Sequence, residues 1–300
     1  MTKIQTKKAS INKSGNLNSF DLYRWRKTHE TEKTAGEIFL REHEKFCVSA
    51  CARFKTLNFI NDHAWILAAN DLRAQAMLLH SRQTVFPVFN GDSQLKLPVH
   101  LYRALSNIKI HALHGLASDV DTLLKILLKL NYSSFETMEY YLMTLDLESE
   151  LPCLRAPPKD LVLRRPRKND IEKLLPLQTA YEREEVLPPG GILDPASSRF
   201  NIEKIVMHEE ALIAEYKGAV AGKINTNDTA YSHCQIGGVY VMPEFRGQGI
   251  ANSMTGTFIR LLRAKKFGIT LYVRKTNKSA LRAYRNAGFK IEADYKIIYM

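Results

Sequence analysis

The sequence predicts an α/β fold in which a mixed, mostly antiparallel sheet is flanked by helices. Residues 239–262 begin with β-branched and aromatic residues, pass through a turn with two glycines, and continue with apolar residues at helical spacing. Residues 269–288 repeat this order of strand, turn and helix. Residues 211–224 contain two short apolar runs around Lys217-Gly218, which is typical of a hairpin and therefore of antiparallel pairing.

The first half of the chain also predicts helices and strands in alternation. Their order is helix, three strands, a fourth strand, helix and strand, at residues 35–55, 65–69, 74–79, 84–89, 108–114, 117–130 and 135–147. Residues 115–119 join the fourth strand to the second helix, and they lack two spaced glycines.

The second half begins with a predicted strand at Leu161–Arg164. A helix over residues 171–186 follows, with a bend expected at Pro176. Residues 188–194 are expected to form a loop that covers an acceptor pocket. The remaining elements are two hairpin strands, a third strand, a helix, a strand, a helix and a last strand that completes the sheet, at residues 211–216, 219–224, 233–241, 250–262, 269–274, 277–288 and 290–300.

The turn after Val241 has the composition of an anion-binding site. Gly247 and Gly249 allow the backbone to fold tightly, so that successive N–H groups converge on an anion at the positive end of the helix dipole. No Lys-Ser or Lys-Thr follows Gly249, which excludes a Walker loop, and the glycine intervals do not fit the dinucleotide fingerprint. The remaining pattern of Arg246, Gly249 and Ala251 resembles the acetyl-coenzyme A loop of the GNAT superfamily of N-acetyltransferases.

A second pattern downstream strengthens the resemblance. Asn277, Ala280, Tyr284 and Gly288-Phe289 look like the second signature of the same superfamily, in which the Asn and the Tyr lie along the cofactor. The resemblance covers residues 160–300 and implies an acyl-CoA N-acyltransferase sheet. It assigns cofactor binding to Val239, Tyr240, Val241, Arg246, Gly247, Gln248, Gly249, Ile250, Ala251, Asn277 and Tyr284.

The chemistry of acyl transfer from a thioester to an amine defines three needs. A neutral amine must attack, the carbonyl oxygen must be stabilised as it gains charge, and the departing thiolate must be protonated. The resemblance implies that the pantetheine arm pairs with the strand at Val239–Val241, where a backbone N–H faces the thioester carbonyl. It also implies that Tyr284 lies by the sulfur and protonates it, although packing against the sheet is the simpler role for this ring.

Two candidates remain for the general base. His233 lies on the same strand face as Gln235 and Val239, and its ordinary pKa suits proton uptake near neutrality. Glu185, with Glu182 and Glu184 at the end of the first helix, is the second candidate, and these carboxylates could instead bind a cationic substrate or form a solvated helix end.

The order of elements in the first half echoes that of the second. We therefore interpret residues 19–148 as a degenerate GNAT-like copy and residues 160–300 as the acetyltransferase domain, joined by a proline-rich linker over 149–159. Asp119 and Asp121 stand where a pyrophosphate would lie, so we expect the first copy not to hold CoA. Residues 1–18 are predicted to be a disordered basic tail.

Charge and composition limit the partners. The net charge is +12, and basic residues concentrate before residue 34 and after residue 150. The run at residues 164–168 suits nucleic acid, but no zinc spacing, RNA-binding signature or long basic helix accompanies it, so nucleic acid is not expected to be a partner. A positive surface near Arg246, Lys275 and Lys278 also suits the phosphates of CoA.

The sequence predicts a soluble, cytoplasmic protein without a metal or a disulfide framework. Cys47 and Cys51 lie one helical turn apart, and no Cys or His pair with finger-like spacing follows them. His111 and His114 would face opposite sides of a strand. No segment approaches the roughly 20 uninterrupted apolar residues of a membrane span, and the first residues lack the apolar core of a secretory signal.

These observations favour an N-acetyltransferase that transfers the acetyl group of acetyl-CoA to a primary amine of a small molecule or a protein. Two alternatives stay open: a non-catalytic CoA-binding sensor or scaffold, and a transferase of another acyl group. The identity of the acceptor and the oligomeric state do not follow from the sequence.

Overall fold

The computed structural model of the protein describes residues 23–69, 73–91, 97–150 and 156–300. The predicted tail over 1–18 and residues 151–155 of the predicted linker, including Cys153, lie outside the described residues. No helix within the described ranges is long and apolar enough to cross a membrane.

The first half contains ten principal elements among its described residues. They are β1 (Arg24–Lys27), α1 (Glu30–Glu42), α2 (Val48–Lys55), β2 (His63–Ala68), β3 (Ala74–Ser81), β4 (Thr84–Phe89), α3 (Val99–Ser106), β5 (Ala112–Leu116), α4 (Ala117–Leu128) and β6 (Glu136–Leu145). The predicted strands at 65–69, 74–79 and 84–89 are confirmed to within two residues at each end, whereas β1 and α3 were not predicted.

The helix predicted over residues 35–55 is two helices. Cys47 has φ −140° and ψ 39°, which is not helical, and a short 3₁₀ turn at Glu44–Phe46 separates α1 from α2. The break has a physical cause, because it turns the buried Glu44 carboxylate toward the backbone N–H groups of Tyr231, Ser232 and His233. The prediction failed here because those partners lie almost 190 residues away in sequence.

The second half continues the alternation. Its elements are β7 (Leu161–Arg164), α5 (Ile171–Tyr181), α6 (Pro195–His208), β8 (Ala211–Tyr216), β9 (Ala219–Thr229), β10 (His233–Val241), α7 (Ile250–Ala264), β11 (Gly268–Arg274), α8 (Lys278–Asn286) and β12 (Lys290–Tyr299). A wider π-helical turn, Glu182–Val186, extends α5.

Helix α6 was missed in the sequence although it carries a recognisable start signal. The Asp194 carboxylate accepts hydrogen bonds from the backbone N–H groups of Ala196 and Ser197, and Pro195 occupies the first turn. Asp at the N-cap followed by Pro is a favoured helix start. The expected loop therefore ends at this cap.

The twelve strands found in the described part of the chain form one continuous sheet. Its order is β1-β2-β3-β4-β5-β12-β6-β11-β10-β9-β8-β7. Reading inward from either edge gives the same architecture: five strands of one half, with a parallel pair at β4–β5 or β10–β11, followed by the last strand of the other half. The fold is thus a mixed α/β sheet built from two GNAT-like copies.

The last strands of the two halves are exchanged. Strand β6, from the first half, pairs with β11, from Leu145 opposite Ile269 to Tyr140 opposite Arg274. Strand β12, from the second half, pairs with β5 of the first half on one side and with β6 on the other. The expectation that residues 290–300 complete the sheet of their own half was therefore wrong. Exchange gives each closing strand a partner on both sides, so that neither half presents a free edge at the junction. The boundaries 19–148 and 160–300 stay a prediction.

Each half of the sheet is covered on both faces. In the second half, α7 packs on one face through a fully buried stripe that includes Met254, Phe258 and Leu262, while α5 and α6 cover the other through Leu174 and Ile202. In the first half, α1 and α2 pack on one face through Phe39 and Phe54, while α3 and α4 pack on the other through Leu101 and Leu123.

Candidate active site

The parallel strands β10 and β11 separate partway along their length. Their pairing runs from His233 opposite Gly268 to Ile236 opposite Leu271. Beyond that point β10 carries a bulge, because its register with β9 shifts by one residue between Gly237 and Tyr240. A bulge bends its strand and removes residues from the ladder. The result is a gap between the two strands that is bordered by unpaired backbone of β10.

The glycine-rich turn lies at the end of this gap. Gly247 has φ +77° and Gly249 has φ +78°, a left-handed backbone that favours glycine. An ideal Cβ on Gly247 would meet no atom within 4 Å, so the space beside the turn is open. Helix α7 begins at Ile250, and within the described residues the N–H groups of Gly247, Gly249 and Ala251 have no hydrogen-bond partner. The turn therefore fits a diphosphate group, as its sequence predicts.

Arg246 points to a carboxylate beside the turn. Its guanidinium lies 2.7 Å from Glu184 Oε2, and its Nε donates to Val241 O at 2.9 Å. The Tyr240 hydroxyl donates to the same Glu184 oxygen at 2.8 Å. Hydrogen bonding from Arg246 lowers the pKa of Glu184, which makes this carboxylate a weak proton acceptor.

A cleft of about 240 Å³ opens where β10 and β11 separate. Of the residues predicted for the site, Val239, Glu185, Asn277 and Tyr284 line it. Ile250 is buried in the core at 1% exposure, so only its backbone is available to a ligand. Gln248 is exposed at the turn.

Most of the polar residues that line the cleft were not predicted from the sequence. The missed residues are Ser49, His114 and Tyr140 from the first half, and Tyr181, Asp228, Gln235, Tyr272 and Arg274 from the second. Alternation along β11 could have placed Tyr272 and Arg274 on one face. No local signal could have brought Ser49 and His114 to this cleft.

Tyr284 is a neutral phenol in this environment. It lines the cleft beside Ala280, and its ring meets Phe289 edge to face at 6.0 Å. Burial raises the pKa of Tyr284 well above its ordinary value, and the nearby Tyr181 and Glu185 add to the effect. The hydroxyl therefore keeps its proton at neutral pH, which a group that protonates a leaving thiolate must do.

Asn277 connects helix α8 to Glu185. Its Oδ1 caps the helix by accepting from Ala280 N at 3.0 Å, and its Nδ2 donates to Glu185 Oε1 at 3.2 Å. Burial raises the pKa of Glu185, and this effect is larger than the opposing influence of Arg274. Glu185 is thus better suited than Glu184 to accept a proton.

His233 lies outside the cleft. It stands at the start of β10, where its Nδ1 is 3.0 Å from Ser232 Oγ and 3.6 Å from Glu44 Oε2. An added Cβ on Gly268 would collide with its ring, so His233 is packed against the neighbouring strand. Gln235, two residues further along the same strand face, does line the cleft. Because of this position, we do not assign His233 a catalytic role.

The corresponding gap in the first half is nearly closed. Strands β4 and β5 also separate after two parallel pairs, at Thr84 opposite Ala112 and Val85 opposite Leu113. The cavity between them is only about 30 Å³. Asp119 Oδ2 accepts a hydrogen bond from Phe89 N at 3.0 Å, and Asp121 pairs with Lys296. This volume admits about one water molecule.

Within the described residues, no group of three His, Cys, Asp or Glu side chains is arranged to hold a metal ion. The polar groups of the cleft are phenols, carboxylates, amides, the Ser49 hydroxyl, the His114 imidazole and the Arg274 guanidinium.

Comparison with known proteins identifies the family of the second half. Residues 176–289 match the model of the acetyltransferase (GNAT) family. These residues therefore match a GNAT-family domain, and the chain as a whole shares the fold of a tandem GNAT protein.

Three solved structures share the fold over the whole chain. A Drosophila protein is 12% identical and superposes with a TM-score of 0.67, covering 92% of this chain and 98% of its own. A GCN5-related N-acetyltransferase from Sphaerobacter thermophilus is 16% identical, with a TM-score of 0.58 and coverage of 93% and 96%. A tandem GNAT protein from the clavulanic acid biosynthesis pathway is 11% identical, with a TM-score of 0.55 and coverage of 93% and 98%.

One curated relative matches over a shorter stretch. The mycothiol acetyltransferase of Acidothermus cellulolyticus is 31% identical over 77 residues, which are 24% of this chain and 24% of the relative. The match thus spans about a quarter of that protein's length.

Proposed function

We propose that the protein is an N-acetyltransferase that transfers the acetyl group of acetyl-CoA to a primary amine by direct attack. The observation that carries this proposal is that one cleft joins the gap between β10 and β11 to a raised-pKa carboxyl, Glu185, and a buried phenol, Tyr284. The carboxyl can accept the proton that the attacking amine loses, and the phenol can donate one to the departing thiolate.

The backbone near the gap supplies the contacts for acetyl-CoA. The free N–H groups of Gly247, Gly249 and Ala251 suit the diphosphate, and the unpaired edge of β10 at Val239–Val241 suits an extended pantetheine arm. Arg246 adds positive charge at the turn, which its pairing with Glu184 partly offsets.

The side chains of the cleft complete the proposed reaction. A C–N bond forms as the amine attacks the thioester carbonyl, and the C–S bond breaks. Glu185 takes the proton that the amine loses, and Tyr284 gives its proton to the departing thiolate. The Val239 N–H stabilises the charge that develops on the carbonyl oxygen.

The acceptor is proposed to enter on the side of the cleft that residues of both halves line. On that side Ser49 Oγ lies 2.7 Å from Asp228 Oδ2 and 2.9 Å from Gln235 Oε1, within hydrogen-bond distance of both. Within the described chain, the buried His114 Nε2, Tyr272 hydroxyl and Arg274 Nε lack hydrogen-bond partners. These groups would gain partners from a polar acceptor, because unpaired buried polar atoms are costly.

Release of free thiol tests the proposal. The purified protein should produce CoA from acetyl-CoA in the presence of one or more members of a panel of primary amines and amino acids, as measured with a thiol-reactive chromophore. Calorimetry in parallel should show binding of acetyl-CoA at one site per chain. Stoichiometric binding without turnover on any amine would favour the sensor instead, and turnover only with longer acyl-CoA substrates would favour another acyl group.

A further inference from the structure

The bulge of β10 is held by a buried lysine that the proposed mechanism does not use. Lys223, on β9, is 2% exposed. Its Nζ donates to Asn225 Oδ1 at 2.9 Å and to the carbonyl oxygen of Gly238 at 3.1 Å. The same Nζ lies 4.5 Å from the centre of the Tyr181 ring. Burying an ammonium group is unfavourable unless it is hydrogen-bonded, so this contact needs a reason.

The bulge is shaped to receive this lysine. Gly238 has φ +58°, the left-handed conformation that glycine adopts in a bulge. A Cβ at Gly238 would collide with Asn225 Oδ1 and with Lys223 Nζ. The backbone N–H of Gly238 donates to the Tyr181 hydroxyl at 3.3 Å. Both polar groups of Gly238 are therefore fixed by side chains instead of by the neighbouring strand.

Fixing the carbonyl of Gly238 also fixes the next N–H. The peptide bond between Gly238 and Val239 is trans, since the described chain contains no cis peptide. In a trans peptide the C=O and the following N–H point in opposite directions. Lys223 holds this oxygen, so the Val239 N–H points away from the lysine, and Val239 has no partner in the ladders that β10 forms with β9 and β11.

We propose that Lys223 is a positioning residue that orients the Val239 N–H toward the acyl carbonyl by holding the Gly238 carbonyl. This inference rests on the proposed function, in which that N–H stabilises the oxyanion. Asn225 and Tyr181 share the task by holding the ammonium and the Gly238 N–H. Pre-orientation matters because a hydrogen-bond donor that must first rotate into place stabilises a transition state less well.

The surroundings of Lys223 provide a second readout. Burial lowers the pKa of Lys223 to about 7, and Glu182 at the end of α5 opposes this effect. The Glu182 carboxylate itself accepts hydrogen bonds from Gln178, Asn201 and Ser198. Below its pKa the lysine is an ammonium and above it a neutral amine, so its bond to Gly238 O should weaken as the pH rises through about 7.

The first experiment compares Lys223→Met with Lys223→Arg. The Met variant keeps an unbranched side chain without a donor, whereas Arg keeps donors. We expect Lys223→Met to lower kcat at least about tenfold, with the Kd for acetyl-CoA changed less than about threefold, and Lys223→Arg to restore most of the loss. An unchanged kcat in a folded Met variant, or equal losses in both folded variants, would overturn the proposal.

The second experiment needs neither turnover nor a variant of Lys223. In protein labelled with ¹⁵N-valine, the Val239 amide resonance, assigned by its absence from Val239→Ile, should titrate with a midpoint near pH 7. A Val239 resonance that does not move between pH 6 and pH 8 would refute the link between Lys223 and this amide. Absence of turnover with every amine would instead reject the proposed function, and the titration would still decide the role of Lys223.

Discussion

Replacing Glu44 by glutamine should weaken the junction between the two halves of the sheet. Glu44 is 3% exposed and belongs to the first half, yet every contact of its carboxylate described above is with the second. Its Oε1 accepts from the backbone N–H groups of Tyr231, Ser232 and His233 at 2.6, 2.7 and 2.9 Å, and its Oε2 accepts from Ser232 Oγ at 2.6 Å. A glutamine places an NH₂ group against donors that need an acceptor.

The pKa of Glu44 gives the magnitude. Burial alone would raise this pKa, but the hydrogen bonds from His233 and Ser232 more than compensate and lower it from 4.5 to about 2. That difference corresponds to about 3 kcal/mol of folding free energy. Because the folded pKa is depressed, this stability is fully present above pH 4.5 and is lost as the pH falls through about 2.

Urea unfolding at pH 7 is the assay. We expect Glu44→Gln to lower the free energy of unfolding by about 2–3 kcal/mol at pH 7. The difference in unfolding free energy between the variant and the wild type should become smaller as the pH falls below 4.5. Glu203→Gln is a matched control, because Glu203 is 46% exposed and its ion pair with Arg199 is long at 3.7 Å. That variant should change stability by less than about 0.5 kcal/mol. Equal unfolding curves for wild type and Glu44→Gln at pH 7 would refute the reasoning.

Three further predictions concern the proposed reaction. Tyr284→Phe should lower kcat by about 10²-fold or more while the acetyl-CoA Kd from calorimetry changes little, because only the proton donor is lost; a normal kcat would leave Tyr284 a packing role. Glu185→Gln should lower kcat/KM by about 10²-fold and remove the acidic limb of the pH–rate profile. The reason is that the pKa of Glu185 is raised, so the wild-type rate falls as this carboxyl is protonated. An acidic limb that persists in the variant would point to another base. Gly249→Ala should raise the acetyl-CoA Kd about tenfold, because alanine at φ +78° has a backbone penalty of about 1–2 kcal/mol and shifts the turn. Gly218→Ala is the control: it carries the same penalty at φ +83° in the β8–β9 hairpin and should leave the Kd unchanged. Equal effects of both variants on the Kd would argue against a phosphate site at this turn.

The glycine turn and the start of helix α8 could be predicted because their signals are local. The glycines at 247 and 249 do adopt positive φ, and Asn277 does begin α8 as its cap. A backbone conformation of this kind depends on one or two residues and their neighbours, so the sequence states it directly. The same holds for the hairpin at Lys217-Gly218, where both residues have positive φ.

The choice of base could not be made in the same way. His233 was the first candidate from the sequence and Glu185 the second, but the strand face that His233 shares with Gln235 extends past the end of the cleft. Burial raises the pKa of Glu185 against the opposing effect of Arg274, which is 89 residues away in sequence. A pKa is a property of the assembled surroundings, so no pattern of letters reveals which carboxyl has been raised.

The sequence by itself determined local structure: the strand, glycine turn and helix of the second half. It also showed that residues 115–119, at the corresponding place in the first half, lack two spaced glycines. Only the tertiary structure decided that β6 and β12 exchange places, that Ser49 and His114 reach the cleft of the other half, and that Lys223 fixes the Gly238 carbonyl. Dihedral preferences are set by neighbouring residues, whereas strand partners and buried polar contacts are chosen among all surfaces the chain can bring together.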